Sequence, residues 1–456
     1  LIQGTPTSVR LPEYFANLTV LWDVNAAELL TAGERFNNLL ASIRPYGGAL
    51  WAPSIKTRNP QIENAVARAK LDIAQHKSGL VITRTGGLEG ADNWTHQYGD
   101  IANTVKSEEQ HVKMPLGLIR LGGNSNLDVL PRHVHGHPEQ IVDGKLIIQG
   151  MQSISARDVY TGRVFWKAPL DRLETFQMYY NETYADTPLD PSYNQRHIPG
   201  ANGRGTNFVA TNDYVYVVQN DKCKVLNITN GATERIFSVP SKSDGQTKWA
   251  YIGVYEQSLI AGSGFARYSA LTPKTDEEKA AHAKMSLKEL TDNRDKENYD
   301  LTASRSLAIM DRYTGKVKWQ IDAHHGFIHN SIIAAKGRLY CLDKLPAFTE
   351  NKIKRRGRTI PDDYRLLVID IASVLLVLQI ESDVFGSWLS YSDQYDVLLQ
   401  ATRPSGDMLR GEKGERIIAY NATTMQQKWD RIIKYSNPLM LHNDRIITEH
   451  RAYSLL

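Results

Sequence analysis

Short apolar runs recur over most of this chain, broken by polar or glycine-containing turns, as in Lys145 to Ile148, Tyr214 to Val218, Leu307 to Ile309 and Arg338 to Asp343. That pattern, short apolar runs bounded by turn signals, predicts buried β-strands. Within it one phrase occurs twice, Asp158-Val-Tyr-Thr-Gly-Arg-Val-Phe-Trp166 and Asp311-Arg-Tyr-Thr-Gly-Lys-Val-Lys-Trp319. Each copy reads as a strand, a tight turn and a second strand ending on tryptophan. The Asp carboxylate accepts bonds from the amides that follow it, and the Gly takes the positive φ that closes a bulged hairpin. Asn421 to Trp429 is a third copy without the Gly, and Asp370 to Leu378 and Asn227 to Phe237 are weaker copies. One hairpin recurring along a long chain is the mark of a repeat architecture.

The repeats divide the chain into units of four short antiparallel strands: Pro138 to Pro169, Thr206 to Val239, Trp249 to Ala323, Phe327 to Glu381 and Phe385 to Ile433. The third unit is interrupted by a charged stretch from Thr272 to Thr302, predicted helical, and the fourth around Leu345 to Asp363. Pro438 to Leu456 begins a sixth unit, predicted to have two strands. Four-stranded units repeated radially predict a mainly β fold, a β-propeller, which protects strand edges by closing into a ring. A β-sandwich would not need the same phrase again and again. Leu116 to Arg120 is the expected closing strand. The sequence falls short of a ring of seven or eight blades, which implies further sequence or a partner beyond its C-terminus.

The first 87 residues differ. Asn17 to Asp23 is a buried-strand pattern, Ala26 to Ile43 has helical spacing, and Arg44-Pro-Tyr-Gly-Gly48 precedes a new apolar run, while Pro60 to His76 offers another helix. Strand, helix, turn, strand is a βαβ-like fragment. The expected organisation is an α/β remnant over 1–87 and a propeller over 88–456. A strand at the open edge of such a remnant, Leu18 to Trp22, needs cover from further chain or from a partner.

Charge adds little. The net charge is +4 with 23% charged residues, so bulk charge gives no sign of a nucleic-acid partner. The local cluster Lys352, Lys354, Arg355, Arg356 and Arg358 reads as a solvated loop. Two cysteines, Cys223 and Cys341, fit neither a disulfide scaffold nor a thiolate metal site, and Cys341 reads as a small buried hydrophobe. The most apolar stretch, Leu366 to Ile380, contains Asp370 and is rich in β-branched residues; it reads as two strands, so no transmembrane segment is expected.

The Asp-x-x-Thr-Gly-Lys/Arg-Val-x-Trp repeats resemble those of the pyrroloquinoline-quinone (PQQ) dehydrogenase-like propellers, in which the Trp ends an outer strand and docks against the next blade. Asp92-Asn-Trp-Thr-His-Gln-Tyr-Gly-Asp-Ile-Ala-Asn-Thr104 is similar to the lead-in before their first blade. Phe15 to Trp51 resembles the last strands and helix of a methyltransferase fold, as in large bacterial secreted proteins that join a degenerate methyltransferase-like domain to such a propeller. The resemblance implies a periplasmic or extracellular protein of the cell envelope. Two departures bear on chemistry: the glycine-rich loop for S-adenosylmethionine is missing, and so is the adjacent cysteine pair of several quinone-dependent alcohol dehydrogenases. PQQ with calcium is the cofactor the resemblance raises, but no residue matches its ligands.

Candidate chemistry gathers on the stretches predicted to open each unit towards the axis. Arg132, His133, His135 and His137 lie in Pro131 to His137, where three histidines two apart would share one face of an extended backbone and could ligate zinc or copper. Arg204 and Asn207 lie among glycines, which allow a ligand close to the backbone, and Arg suits a planar anion. His329 opens the fourth unit, and Trp388 with Tyr391 the fifth. Convergence of these on one axis would form a small-molecule pocket. Two classes of function follow: a binding or scaffold protein with protein partners at the rim, and a PQQ- or metal-dependent oxidoreductase. The lack of recognisable cofactor ligands favours the first.

Overall fold

The computed structural model describes residues 11–115, 128–129, 136–150, 152–171, 201–240, 247–267, 276–277, 280, 299–355, 357, 359–404 and 412–456. The N-terminal part is a small α/β unit. Strand β1 (Leu18–Val20) runs parallel to β2 (Gly48–Ala52), and the crossover carries helices α1 (Ala26–Thr31) and α2 (Glu34–Ser42). Helix α3 (Pro60–Arg68) leads to the antiparallel pair β3 (Asp72–His76) and β4 (Gly79–Arg84), giving the sheet order β1-β2-β4-β3. The three helices bury Leu29, Phe36, Leu40, Ile62 and Val66 in one cluster with Leu50, Ala52, Leu80 and Ile82 of the sheet.

Two helical expectations are corrected here. Ala26 to Ile43 is two helices, because Gly33 adopts φ +54° between them. Asn25 caps the first reciprocally, accepting from Glu28 N while Asn25 N donates to the Glu28 carboxylate. The second expected helix stops at Arg68. Lys70 takes φ +54°, and Asp72–His76 alternates exposed and half-buried residues as a strand does.

The rest is a β-propeller of antiparallel meanders. The first blade is β5 (Gln140–Val142), β6 (Lys145–Gln149), β7 (Ser153–Asp158) and β8 (Val164–Pro169). After a single turn of helix, α4 (Ala201–Arg204), the second is β9 (Phe208–Ala210), β10 (Tyr214–Gln219), β11 (Lys222–Asn227) and β12 (Thr233–Ser238). The third is β13 (Trp249–Tyr255), β14 (Ser258–Arg267), β15 (Tyr299–Asp311) and β16 (Val317–Ile328). In the fourth, β17 (Ile333–Ala335) and β18 (Arg338–Asp343) precede α5 (Ala347–Arg355), β19 (Arg365–Asp370) and β20 (Leu375–Ile380). The fifth is β21 (Trp388–Ser392), β22 (Val397–Ala401), β23 (Gly414–Asn421) and β24 (Gln427–Tyr435).

The sixth has three strands where two were predicted: β25 (Met440–His442), β26 (Arg445–Ile447) and β27 (Ala452–Ser454). The third and fourth blades share one hydrogen-bonded sheet, because β16 runs on until Phe327 pairs with Asp343. The basic cluster begins on α5 and not on a loop: Ile353 is buried while Lys354 and Arg355 are exposed. The expected closing strand, Leu116 to Arg120, lies outside the described residues.

The recurring turn has one geometry in all five copies. Asp158, Asn227, Asp311, Asp370 and Asn421 each accept an amide two or three residues on. The fourth residue after each has positive φ, and it is Gly162, Gly231, Gly315, Val374 and Met425 in turn. The side-chain acceptor is therefore common to every copy and the glycine is not.

Neighbouring blades lock onto this turn. Trp166 donates its Nε1–H to Ile228 O at 2.9 Å. A Cβ on Gly231 would sit 2.5 Å from the same indole, so only glycine allows that contact. Phe237 holds the equivalent place against Gly315. Trp319 and Trp429 occupy the register of Trp166, opposite Ile309 and Ala419 as it is opposite Ala156, but both are half-buried where Trp166 is buried. Truncating Trp166 to Ala is expected to lower unfolding free energy by about 3–5 kcal/mol, and Trp429→Ala by clearly less. Urea unfolding of both variants checks this; equal losses would show that burial does not set the contribution.

Candidate functional site

The segment from Trp94 to Val105 runs round the axis of the propeller and bonds to the innermost strands in order. Trp94 exchanges two backbone bonds with Ile141 of β5, at 2.8 and 2.9 Å. Val254 N of β13 donates to His96 Nε2 at 3.1 Å. Ala334 N of β17 donates to Ile101 O, Tyr391 N of β21 to Ala102 O, and Leu441 N of β25 to Thr104 O, at 3.2, 3.0 and 2.9 Å. Asn103 Nδ2 donates to both Asn330 O and Leu389 O at 3.0 Å. The second blade is held from its neighbour: Gln140 accepts from Ala210 N at 2.7 Å and donates to Phe208 O at 2.8 Å. The sequence marks this segment as a lead-in and carries no sign of its place on the axis.

The predicted site residues divide. Arg132, His133 and His135 lie outside the described residues. His137, Arg204 and Asn207 line one cavity with Gly205, Thr206 and Trp249. His329 lines a second, with His96, Tyr98, Asp100 and Tyr251, and the two share Gly205 and Thr206. Trp388 is not with them: it is fully buried, edge-on to Tyr98 at 4.8 Å.

Backbone groups fix the tautomers of three buried histidines. His96 Nε2 accepts from Val254 N and its Nδ1 lies 2.8 Å from Thr95 Oγ1. His329 donates from Nδ1 to Arg204 O and accepts at Nε2 from Ser304 Oγ at 2.8 Å. His137 Nδ1 accepts from Asn207 N at 3.1 Å. Burial pushes His96 and His329 down to about 3, and lowers His137 well below its ordinary value with help from the Arg204 charge. Burial also brings Arg204 down to about 9.

These residues do not fit a PQQ–calcium pair. Asp100 lines the cavity of His329, and it already accepts from Ala102 N, Thr104 N and Thr104 Oγ1 at 2.9, 3.2 and 2.8 Å. Both ring nitrogens of His96 and of His329 are engaged, leaving no lone pair for a metal. The two cavities leave ≈ 20 and ≈ 30 Å³ for the centre of a water molecule to move in, too little for a multi-ring cofactor. Among the described residues no group of three His, Cys, Asp or Glu is placed to hold a metal ion.

No protein-family profile and no curated protein matches the chain. Solved structures do. BamB from Moraxella catarrhalis matches at 12% identity and TM-score 0.35 over 66% of each chain. A quinohemoprotein alcohol dehydrogenase from Comamonas testosteroni matches at 12% identity and TM-score 0.42, over 77% of this chain and 51% of that one. A europium-containing methanol dehydrogenase matches at 10% and 0.36, over 78% and 81%. The chain thus spans about two thirds of the first and half of the second, and these likenesses concern the fold alone.

The histidines make stability depend on pH. Below their ordinary value of 6.5 the unfolded chain takes up protons that the folded chain refuses. The stability from His96 and His329 is full above that pH and falls towards 3, by about 1.4 kcal/mol per pH unit for each. Glu412 has the opposite sign: burial raises it from 4.5 to about 7, so its contribution is lost as pH rises through that window. Two histidines outweigh one glutamate. The melting temperature is expected to drop on acidification from 6.5 to 4.5, and His96→Gln to flatten the slope. A flat wild-type profile would contradict the buried neutral imidazoles.

Proposed function

We propose that this chain is a binding or scaffold protein of the cell envelope, a PQQ-like propeller over 88–456 joined to a methyltransferase-like remnant over 1–87, which meets protein partners at its rim. The observation that carries this reading is that the axis, where a cofactor would sit, is taken by the chain's own segment from Trp94 to Val105, bonded to β5, β13, β17, β21 and β25. The rim offers apolar surface instead. Outer strand β20 exposes Leu375, Leu376 and Val377 side by side, at 65, 48 and 49%, and consecutive exposed apolar residues favour protein contacts. No helix among the described residues is long and apolar enough to cross a membrane. The envelope placement rests on the resemblance of the Asp-x-x-Thr-Gly-Lys/Arg-Val-x-Trp repeats.

The oxidoreductase reading is separated by reconstitution. Calorimetric titration with PQQ in the presence of calcium is expected to show no saturable binding, and a dye-linked oxidation assay no turnover. Stoichiometric binding with turnover would replace the scaffold reading by that of a quinoprotein.

A further inference from the structure

The α/β unit holds the first blade at three positions that recur on the other four-stranded blades. The turn acceptor Asp158 faces Arg44 Nε at 3.1 Å. Gly144, whose carbonyl accepts from the residue after that acceptor, lies under Tyr46, and a Cβ on it would sit 2.5 Å from the ring. Phe165, the extra residue of the bulge between Val164 and Trp166, lies beneath the Arg44 guanidinium, 5.9 Å from its Cζ. The same positions hold Asn227, Asp213 and Glu234 in the second blade, Asp311, Gln257 and Lys318 in the third, and Asn421, Asp396 and Lys428 in the fifth. The fourth blade alone repeats the acid, the glycine and an apolar bulge residue, as Asp370, Gly337 and Val377.

There the set stands open. No atom lies within 4 Å of where a Cβ on Gly337 would be. Asp370 holds its own turn through Ser373 and, among the described residues, forms no ion pair. Val377 is 49% exposed, and Ala372 stands where Tyr160 meets Tyr14, which leaves more room. Strand β20 carries no charge, whereas β8, β12, β16 and β24 each carry at least one, and charge is how an edge strand repels unwanted pairing. A carboxylate beside an open glycine and an apolar side chain complements a guanidinium and an aromatic ring. We propose that this corner of the fourth blade is a second docking site, for a partner protein that presents an arginine and, two residues on, an aromatic ring, as Arg44-Pro45-Tyr46 does to the first blade. A second copy of this chain is not that partner, because its Arg44 and Tyr46 are engaged with its own first blade. The proposal rests on the reading of the rim as a partner surface and adds what the partner carries.

The probe is a cyclic, fluorescein-labelled peptide of the sequence Ser42 to Gly48, titrated with the full chain and read by fluorescence anisotropy. Saturable binding is expected, weakened at least roughly tenfold by Asp370→Asn and by Val377→Lys. The chain already carries these residues at equivalent places, as Asn227, Asn421, Lys318 and Lys428, so both variants are expected to fold, with the melting temperature as the check. A peptide with glutamine for the arginine should bind as weakly to the wild type as the parent does to Asp370→Asn. No saturable binding, or binding unchanged in Asp370→Asn, would overturn the proposal. Equal loss in Asp158→Asn would do the same, by placing the peptide on the first blade. Loss in Val377→Lys alone would overturn the arginine-bearing partner while leaving the rim a surface for apolar contacts, as the scaffold reading requires.

Discussion

Every blade of a propeller has an innermost strand with one edge facing the axis, and a buried edge must find partners for its N–H groups or forfeit their desolvation energy. The structure meets that requirement with backbone and side-chain groups from elsewhere in its own chain. Five inner strands bond to the segment from Trp94 to Val105, taken in the order of the blades, and the sixth, β9, is served by the Gln140 side chain. The arrangement fixes the blades relative to one another, because one stretch of chain is bonded to all but one of them. Beside that segment the described residues line two small cavities.

The outer side follows a second rule. The residue after each turn acceptor donates its N–H back within the blade: Val159 to Gly144 O, Ile228 to Asp213 O, Arg312 to Gln257 O, Ile371 to Gly337 O and Ala422 to Asp396 O, and in the sixth meander Leu455, after Ser454, does so to Asp444 O. In four of these its carbonyl then accepts from the preceding blade, from Trp166, Tyr216, Tyr340 and Trp429. The same carbonyl is thus the landing point whatever aromatic residue reaches it. The sixth meander, with three short strands, obeys the rule at Leu455, which is why it counts as a blade despite its size.

The strands were legible because burial on both faces of a blade gives short continuous apolar runs between turn residues, and the turns because an Asp or Asn acceptor precedes each positive φ. The glycine was the weaker signal: Val374 and Met425 take the same conformation without it, so the copies around Asp370 and Asn421 looked more degenerate than they are. The helical unit was misjudged where apolar spacing runs on through a break, at Gly33 and at Lys70. The axial segment could not be placed from sequence, because most of its contacts are made by backbone, which any residue supplies. His96 and Asn103 are the exceptions, and neither stands out among the polar residues around it. Of the candidate residues, His137, Arg204 and Asn207 do share a cavity, while Trp388 packs on the axial segment as core.

The first turn differs from its copies in one respect that bears on how the α/β unit is attached. Asn227 and Asn421 show that a neutral amide is enough to hold the turn. The carboxylate of Asp158 does more: it lies 3.1 Å from Arg44 Nε, with both side chains buried. Arg44 also donates to Asn17 Oδ1 and, through Nη1, to Pro45 O and Tyr46 O at 2.7 and 3.1 Å. A buried ion pair adds little net stability over a well-packed apolar contact, but removing one member strands the other charge. Its value here lies in selection. Tyr14 packs edge-on to Tyr160 and Tyr46 lies against Gly144, so the unit grips the first blade through shape, and the Arg44–Asp158 charge pair distinguishes this turn from the Asn227 and Asn421 turns of otherwise equal geometry.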